Sequence, residues 1–327
     1  MKSILIKIIQ SMDKIYLKPH LSIFNDLKGI LCLCFHTVFE NKKEKENNQT
    51  LPWLGLTIEE YRYIFDYFLN HNYEFISFDE IQQKPKINGK YIHVTFDDGY
   101  FNNSKIIPIL EEYKIPAQIF VVTSNIINSD KFWWDVIYNK RISNGTQLSQ
   151  IQKEISFLQK KHYKDINTYI NENFGKNSYK PISDLDRPFN INELKDLDKN
   201  KLITIGNHTS DHAILKNLQI DEACEQVEKA QKELKFILGK SPKSFAFPNN
   251  GYTKEYLQIF RPLGIDFAFC GDYRHNSIHN GLIGEKSMRL GRFDILDSRN
   301  INYQLNMLRA GISPFILAKK LQRLLSF

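Results

Sequence analysis

Short apolar runs alternate with segments of helical periodicity along most of the chain, and this alternation restricts its fold more than any other feature. The runs that predict strands cover residues 29–38, 73–78, 91–96, 117–123, 202–206, 245–247, 267–270 and 289–293. Helical patterns lie between them, such as one that Thr57 opens as N-cap with Glu60 three residues on, and a long one over 221–238. Repeated strand-to-helix units of this kind predict an α/β barrel or a doubly wound sheet.

The middle of the chain departs from this alternation. From about residue 130 to residue 200 the sequence is polar, has helical periodicity and shows no strand pattern. We therefore predict a helical insertion in one strand-to-helix loop of a single domain that covers residues 29–297. An amphipathic helical segment at 1–28 precedes this domain, and helices at 298–327 follow it.

Composition and charge narrow the class of protein. Of the 327 residues, 42% are hydrophobic and 25% are charged, which is the balance of a folded globular protein. The net charge of +7 comes with no basic arm, so we expect no nucleic-acid partner. Four cysteines are too few for a disulfide framework, and we favour buried reduced thiols for Cys32 and Cys34, which share one side of a strand. No run approaches the roughly 20 apolar residues of a membrane span, so we expect a cytoplasmic protein.

Two strand ends carry groups that can do chemistry. The strand at 91–96 leads into Asp97 and Asp98, and adjacent carboxylates at this place are costly unless a cation lies between them. An acidic turn that caps the next helix is the alternative. The strand at 202–206 leads to His208 and His212, whose spacing predicts that both rings project from one helical turn and share a metal. Two surface histidines on a helix would show the same spacing.

The two strand ends together predict a catalytic centre. In a parallel barrel both would lie on one rim, where two histidines and one carboxylate leave an open position on a divalent metal. The second carboxylate would be free to act as a base. A tetrahedral oxyanion would also need a donor, for which the backbone N–H of Tyr100 is a candidate.

The segments Thr-Phe-Asp-Asp-Gly and His-Thr-x-x-His that contain these residues resemble the metal motifs of the polysaccharide deacetylases, the NodB-homology group of carbohydrate esterases. The resemblance covers roughly residues 31–294 apart from the insertion. It implies an irregular (β/α)7 barrel and a metal-dependent deacetylase. It further implies that Asp98, His208 and His212 bind the metal, typically zinc, and that Asp97 is the general base.

The general acid departs from the commonest family pattern, because the C-terminal Leu-x-His motif is missing. Instead the first strand ends in Cys-Phe-His-Thr-Val. This resembles the Tyr-His-x-Val element of permuted deacetylases that act on poly-N-acetylglucosamine, in which the histidine lies in the active site. We therefore assign His36 as the general acid. A buried histidine satisfied by the backbone is the alternative.

The third family motif, Arg-x-Pro-aromatic, is also altered and reads Phe-Ala-Phe-Pro-Asn-Asn-Gly. This is similar to the Phe-Ala-Tyr-Pro-x-Gly variant of the same permuted group, and by that resemblance Pro248 and Asn249 lie at the substrate. The alanine cannot supply the cation that positions Asp97. Arg289 or Arg292 of the last strand could supply it, and we favour Arg292. A surface arginine remains the alternative for either.

Aromatic and apolar side chains elsewhere each allow two interpretations. Trp133 and Trp134 open the insertion, where they would stack on a sugar ring or, more commonly, pack the insertion onto its barrel. Both chain ends carry an apolar stripe with lysine and arginine beside it. Basic amphipathic helices contact membrane surfaces, although such stripes more commonly pack on their own domain.

We therefore predict a metal-dependent deacetylase that hydrolyses the N-acetyl group of an amino sugar in a polysaccharide or lipid-linked glycan. A cytoplasmic location favours a lipid-linked or nucleotide-linked intermediate, with peripheral contact to the inner face of the membrane. A catalytically inactive barrel that binds carbohydrate or serves in assembly is one alternative. A metal hydrolase of another amide or ester, which would use the same residues, is the other.

Overall fold

The structure is a computed structural model of the chain. It describes residues 26–83, 85–252, 255–278, 284–296 and 300–311, and near the ends residues 11, 15–17, 19–21, 23, 313–314 and 316–317. The strands are β1 Gly29–Phe35, β2 Thr37–Phe39, β3 Gly55–Thr57, β4 Glu74–Phe75, β5 Lys90–Phe96, β6 Ala117–Val121, β7 Ile203–Asn207, β8 Ser244–Ala246, β9 Phe267–Cys270 and β10 Leu290–Asp294.

Helices connect most of these strands. They are α1 Lys42–Lys45, α2 Ile58–Asn70, α3 Phe78–Gln82, α4 Ile107–Tyr113, α5 Thr123–Asn128, α6 Trp133–Ser143, α7 Leu148–Leu158, α8 Tyr163–Phe174, α9 Ile191–Asp198, α10 Ile220–Leu238, α11 Tyr256–Phe260 and α12 Ile301–Ala310. Short 3-10 turns join several of them, including Phe101–Ile106, Lys176–Tyr179 and Pro248–Asn250.

Seven parallel strands close into a barrel. Their order around it is β1, β10, β9, β8, β7, β6 and β5, and β5 pairs again with β1 along its whole length, from Gly29 opposite Lys90 to Phe35 opposite Phe96. The short β4 adds to the first half of β5, and β2 pairs with β3 in a separate parallel pair. Closure of the sheet confirms the predicted (β/α)7 barrel and excludes the doubly wound alternative.

Side chains of β1 alternate between two cores, as the period of a strand requires. Leu31 and Leu33 belong to the outer core beneath the helices, whereas Cys32 belongs to the core inside the barrel. The same alternation places Cys34 on the inner side. Both cysteines are buried free thiols, which confirms their predicted side and state.

Local capping explains where α2 begins. The Thr57 side chain accepts from the Glu60 N–H, and the Thr57 N–H donates to the Glu60 carboxylate at 2.7 Å, so the predicted capping box is present. The buried face of α2 consists of Tyr61, Ile64, Phe65 and Phe68. These rings and aliphatic chains pack into the outer core of the barrel.

The predicted strand at 73–78 is wrong over most of its length. Only Glu74–Phe75 pairs as a strand, and Ser77 caps α3 in a second capping box with Glu80. Tyr73 and Ile76 are buried. The apolar run therefore reflects burial of its side chains more than strand pairing, and the capping signal of Ser77 ends the strand early.

The predicted insertion between β6 and β7 is helical. Within residues 130–200 the structure contains α6 to α9 and a 3-10 turn, and nothing there pairs as a strand beyond one isolated bridge at Pro188. A buried ion pair holds its start, since the Lys131 ammonium lies 3.3 Å from Asp186 and 2.8 Å from the amide oxygen of Asn139.

Most of the predicted terminal segments, including Ile4, Leu5, Ile8, Ile9, Met12, Phe315, Leu321, Leu324 and Leu325, lie outside the described residues. Of their described members, Leu17 and Ile316 are buried in the main core, whereas Ile15 and Leu317 are exposed. Across the described parts of the chain, every helix is too short or too polar to cross a membrane.

Candidate active site

The side chains predicted to do chemistry meet at the C-terminal rim of the barrel. Asp97 and Asp98 follow β5, His208 and His212 follow β7, His36 follows β1, and Arg292 lies in β10. Backbone hydrogen bonds join neighbouring strand ends, from Asp97 N to Phe35 O at 2.9 Å and from His208 N to Val121 O at 3.1 Å. Because all barrel strands are parallel, chain segments far apart in sequence deliver their side chains to one place.

Asp98, His208 and His212 form a buried cluster that fits a divalent metal. The Asp98 Oδ1 atom lies 3.5 Å from His208 Nε2 and 3.3 Å from His212 Nε2. Metal–ligand bonds of about 2.0–2.1 Å put the corners of a tetrahedral site about 3.3 Å apart. Within the described part of the chain, no group donates a hydrogen bond to the buried Asp98 Oδ1, which is thus free to bind a cation.

The charge states of these ligands also suit a metal. His208 Nδ1 lies 2.8 Å from the carbonyl oxygen of Ala246, and a proton on Nδ1 leaves Nε2 free to coordinate. Burial lowers the pKa of His212 more than Asp98 raises it, so that the ring is neutral. Burial raises the pKa of Asp98, but the two histidines lower it by more than burial raises it. The net pKa is therefore below the usual value, and the carboxylate is ionised.

His208 and His212 do not lie on a helical turn, contrary to the prediction. An irregular loop follows β7, and Thr209 and His212 adopt left-handed backbone conformations with φ of 68° and 48°. The Asn207 side chain accepts from the Thr209 N–H at 2.8 Å and closes the turn where a helix would use backbone bonds. The two rings still converge, with centroids 5.0 Å apart. Backbone conformations of this kind are concentrated at functional sites.

Gly99 permits the turn that presents the two aspartates. Asp98 and Gly99 have φ of 76° and 83°, so two successive residues are left-handed. A Cβ atom at Gly99 would lie 2.9 Å from the Cγ1 atom of Val121. Only glycine satisfies both the backbone conformation and the close approach.

Asp97 is held by a buried arginine. The guanidinium of Arg292 donates to both Asp97 oxygens at 2.6 Å, and the residue is 1% exposed. Burial raises the pKa of Asp97, but the nearby charges, chiefly that of Arg292, lower it by more than burial raises it. Asp97 is therefore a carboxylate. Arg289, the other arginine that the sequence offered, instead lies 3.3 Å from Asp272. The structure thus places Arg292 where the cation for Asp97 was expected.

A thiol that sequence reasoning missed also contacts Asp97. Cys34 Sγ lies 3.5 Å from Asp97 Oδ2 and donates to it. Burial raises the pKa of Cys34 well above its usual value, so that it remains a thiol. Cys34 lies on the inner face of β1, two residues before His36. This position was the signal available in the sequence.

His36 lines the same cavity as Asp97, the proposed base. One of its ring nitrogens lies within 4.8 Å of Cys34 and Asp97. Asn103 donates to the His36 carbonyl at 2.6 Å and fixes the backbone at this point. The ring itself is half-buried and has no hydrogen-bond partner among the described residues, so the alternative of a satisfied buried histidine does not describe it.

Tyr100 is buried completely and held from two sides. Its hydroxyl donates to Asp135 at 2.6 Å and accepts from the Trp134 indole N–H at 2.7 Å. The isolated backbone bridge that pairs Tyr100 with Pro188 is formed by the N–H groups of Phe101 and Phe189. The Tyr100 N–H therefore takes no part in it. Sequence reasoning missed Asp135, although a carboxylate directly after Phe-Trp-Trp in a buried helix was a signal.

The two tryptophans of the insertion are buried. Trp133 is 7% exposed and Trp134 is 5% exposed, so an exposed stacking platform is not what the structure shows and packing is their first role. The Trp134 ring also lies edge-on against His212, with centroids 4.6 Å apart. It thereby joins the insertion to the cluster of Asp98, His208 and His212.

A cavity of about 230 Å³ contains the clustered groups. Its polar lining includes His36, Asp97, Asp98, His208, His212 and Arg292, and its apolar lining includes Trp53, Leu54, Trp134, Ile155, Phe247 and Leu296. Of the altered third motif, Asn249 lines the cavity but Pro248 does not. Pro248 is buried at the first position of a 3-10 turn, so its part is to shape the loop that carries Asn249.

Solved structures share this fold. A Streptococcus pyogenes deacetylase, PplD, in complex with acetate is 16% identical over 86% of this chain and 99% of its own, with a TM-score of 0.56. IcaB from Ammonifex degensii is 17% identical over 88% and 99%, with a TM-score of 0.55. A de-N-acetylase from Aggregatibacter actinomycetemcomitans is 16% identical over 85% and 99%, with a TM-score of 0.59. At these identities the likeness shows the fold. Among curated proteins, no significant sequence match was found.

The family model described as polysaccharide deacetylase matches residues 84–268, which is more than half of the chain. The matched range contains both aspartates of the strand end at β5 and both histidines that follow β7. This match confirms the family that the two motifs resembled. The chain therefore belongs to the polysaccharide deacetylase family and is a hydrolase of carbon–nitrogen bonds.

Proposed function

We propose that this chain is a metal-dependent deacetylase that removes the N-acetyl group from an amino sugar of a glycan. The observation that carries the proposal is the spacing of 3.3 Å and 3.5 Å between Asp98 Oδ1 and the two histidine nitrogens, beside a second, separately held carboxylate. An inactive barrel would have no reason to bury this set of charged and polar groups, because their burial is costly without a ligand.

Asp98, His208 and His212 would hold the metal, for which zinc is our choice because two imidazoles and one carboxylate are its common catalytic ligands. When bound, the metal would act as a Lewis acid on the acetyl carbonyl and lower the pKa of water.

Asp97 is the base in this proposal. Arg292 keeps it ionised and fixes both of its oxygens, while Cys34 donates to one of them. The carboxylate is thus oriented before substrate arrives, and it accepts the proton of the attacking water. Fixing a base in this way reduces the reorganisation that the reaction requires.

Two donors complete the site in this proposal. The Tyr100 N–H, left outside the backbone bridge, would donate to the oxyanion of the tetrahedral intermediate. His36, whose ring faces the cavity, would protonate the departing amine of the sugar. The hydrogen bonds of the Tyr100 hydroxyl hold the first donor in place. The hydrogen bond from Asn103 to the His36 carbonyl holds the second.

The direct test is acetate release by purified protein loaded with zinc. The probes are N-acetylated amino-sugar oligosaccharides, and 4-nitrophenyl acetate as an ester that needs little leaving-group protonation. We expect acetate from the amides, and Asp97→Asn should retain zinc but lose about 10²–10⁴-fold in kcat. Hydrolysis of the ester with none of the amino sugars would instead favour the hydrolase of another ester or amide.

The carrier of the glycan is a further part of this proposal. We propose a lipid-linked or nucleotide-linked intermediate in the cytoplasm, met at the inner face of the membrane, as the substrate. Mass spectrometry of glycolipids from cells that lack the protein should show species heavier by one acetyl group. Unchanged glycolipids together with acetylated nucleotide sugars would move the substrate to the nucleotide-linked class.

A further inference from the structure

A second cleft opens next to the catalytic cavity, on the other side of His212. Its volume is about 340 Å³, which is within the range of about 300–1,000 Å³ for ligand pockets. Residues that follow β6 and β7 form one wall, and the insertion forms the other through α8 and the turn at Lys176–Tyr179. His212 lines both the cleft and the catalytic cavity, so the two adjoin at this side chain.

The lining of this cleft offers both donors and acceptors. Asn125 uses its amide nitrogen on backbone carbonyls, which leaves its oxygen as an acceptor. Asn167 uses its amide oxygen to accept from Tyr179, which leaves its nitrogen as a donor. Asn171 also lines the cleft, and no hydrogen bond in the described structure uses its side chain. Hydroxyl groups both donate and accept, so this lining suits a ligand rich in hydroxyls.

Trp133 adds a ring and an unused donor to the same cleft. The neighbouring Trp134 donates its indole N–H to Tyr100, but the Trp133 N–H has no acceptor in the described part of the chain. This N–H is not fully buried, so that solvent or a ligand can reach it. A tryptophan that is 7% exposed and yet lines a cleft with a free N–H is suited to a ligand that presents an acceptor and an apolar face.

The charges in the cleft argue against a phosphate. Asp130 and Asp211 are carboxylates in the lining, whereas Lys176 is its one ammonium group among the described residues. An anionic carrier group would therefore meet net repulsion. A neutral sugar residue would not.

We infer that this cleft is a second carbohydrate subsite, which binds a sugar residue adjoining the one that is deacetylated. The inference rests on the proposed function and adds to it that the substrate is an oligosaccharide or longer glycan. Amides, a carboxylate and a tryptophan from the insertion recognise the neighbouring sugar, and binding there holds the reacting residue in the catalytic cavity. The insertion thereby becomes a determinant of chain-length preference.

The test is the dependence of kcat/KM on chain length. The probes are N-acetylglucosamine oligomers of one to four residues in β-1,4 and β-1,6 linkage, with 4-nitrophenyl acetate as a small ester. For zinc-loaded wild-type protein we expect kcat/KM to rise about tenfold or more from one residue to two or three, as one or two added hydrogen bonds would give. Inorganic phosphate should not inhibit deacetylation of the longer oligomers.

Variants of the cleft assign this preference to its residues. Trp133→Phe keeps an aromatic ring but removes the N–H, and Asn171→Ala removes an exposed amide. In each, the loss on the trisaccharide should exceed the loss on the monosaccharide by about tenfold. Asn177→Ala is the matched control, because this exposed asparagine lies in the adjacent turn and lines neither cavity.

The outcomes separate the subsite from the activity. Wild-type protein that deacetylates the monosaccharide as well as the trisaccharide would refute the second subsite and leave the proposed function intact. Equal losses on both substrates in the cleft variants would refute the subsite as well. Protein that hydrolyses the ester but no sugar would refute the proposed function, and the subsite with it.

Discussion

At the residue scale, the pair of Asp97 and Arg292 is the contact on which the geometry of the site depends most. Arg292 also donates to Thr95, so that the guanidinium joins β10 to β5 across the inside of the barrel. Removing one partner of a buried ion pair leaves the other charge without compensation, which commonly costs about 3–5 kcal/mol.

Arg292→Met should therefore lower the free energy of unfolding by about 3–5 kcal/mol and abolish turnover. Arg292→Lys should fold better but lose about 10²-fold or more in kcat, because an ammonium cannot bind both Asp97 oxygens in the same way. Denaturant unfolding and acetate release measure the two effects. Arg289→Lys, at the half-buried arginine just before β10, is the control and should change neither. Normal kcat in Arg292→Lys would show that bidentate orientation of Asp97 is not needed.

His36 allows a second test at this scale. If its ring protonates the departing amine, His36→Ala should retain zinc and lower kcat on an N-acetyl sugar by about 10²–10⁴-fold. The loss on 4-nitrophenyl acetate should be much smaller, since nitrophenolate leaves without a proton. Parallel kinetics on both substrates give the comparison. Equal losses, or an unchanged kcat on the amide, would leave His36 without a part in proton transfer.

At the scale of elements, α6 carries the contacts that join the insertion to the site. Asp135 accepts from Tyr100 and from the Thr50 hydroxyl at 2.7 Å, and all three residues are buried. Burial raises the pKa of Asp135 to about 7, although the two hydroxyls lower it in part. A buried carboxyl group with a raised pKa stabilises the folded protein more when it is protonated than when it is ionised.

The sign of the resulting pH dependence follows from linkage. The folded pKa of Asp135 lies above its unfolded value of about 3.9, so its stabilising effect is present below pH 4 and is lost as the pH rises towards 7. Compared with Asp135→Asn, the wild-type protein should lose a few kcal/mol of stability between pH 4.5 and 7.5. Denaturant unfolding at several pH values measures this difference.

Asp165→Asn, at an exposed aspartate of α8, is the control for this series and should follow wild type at each pH. If the Asp135→Asn and wild-type curves stayed parallel across the range, Asp135 would not change protonation on unfolding there. The asparagine can still accept from the Tyr100 hydroxyl, so the variant tests the charge more than the contact.

At the scale of the whole molecule, metal binding should stabilise the fold. The proposed ligands come from segments after β5 and β7, which approach each other only in the closed barrel, so the folded state would bind the cation and the unfolded chain would not bind it in the same way. A ligand at 100 times its Kd then adds about 2.7 kcal/mol to the free energy of unfolding.

Removal of metal with a chelator should therefore lower Tm by several degrees, and zinc should restore it. In His212→Ala the chelator should have no effect on Tm, and metal analysis should find less than one ion per chain. His71→Ala, at a histidine that ends α2 and lies outside the cavity, is the control and should respond like wild type. A chelator-sensitive Tm in His212→Ala would move the metal to other ligands.

The sequence by itself determined the features that arise from local chemistry. Strand period placed Cys32 and Cys34 on one side of their strand, the capping box of Thr57 and Glu60 began α2, and apolar runs located the strands of the barrel. These features depend on residues within a few positions of one another. The Asp-Asp and His-x-x-x-His pairs could be read as one site because parallel strands end on one rim, and because the motifs resembled a known family.

The tertiary structure alone decided which distant groups meet and in what conformation. Closure of the barrel puts Cys32 opposite Arg292 on adjacent strands, and this register selects Arg292 over Arg289 as the partner of Asp97. Backbone hydrogen bonds from Ser124 to Ser210 and from Ser210 to Gln226 help to hold the loop of His212 out of a helical conformation, and the insertion buried Trp134 against the His212 ring. The physical reason is the same in each case, because long-range packing and register set these contacts, and no short stretch of sequence encodes them.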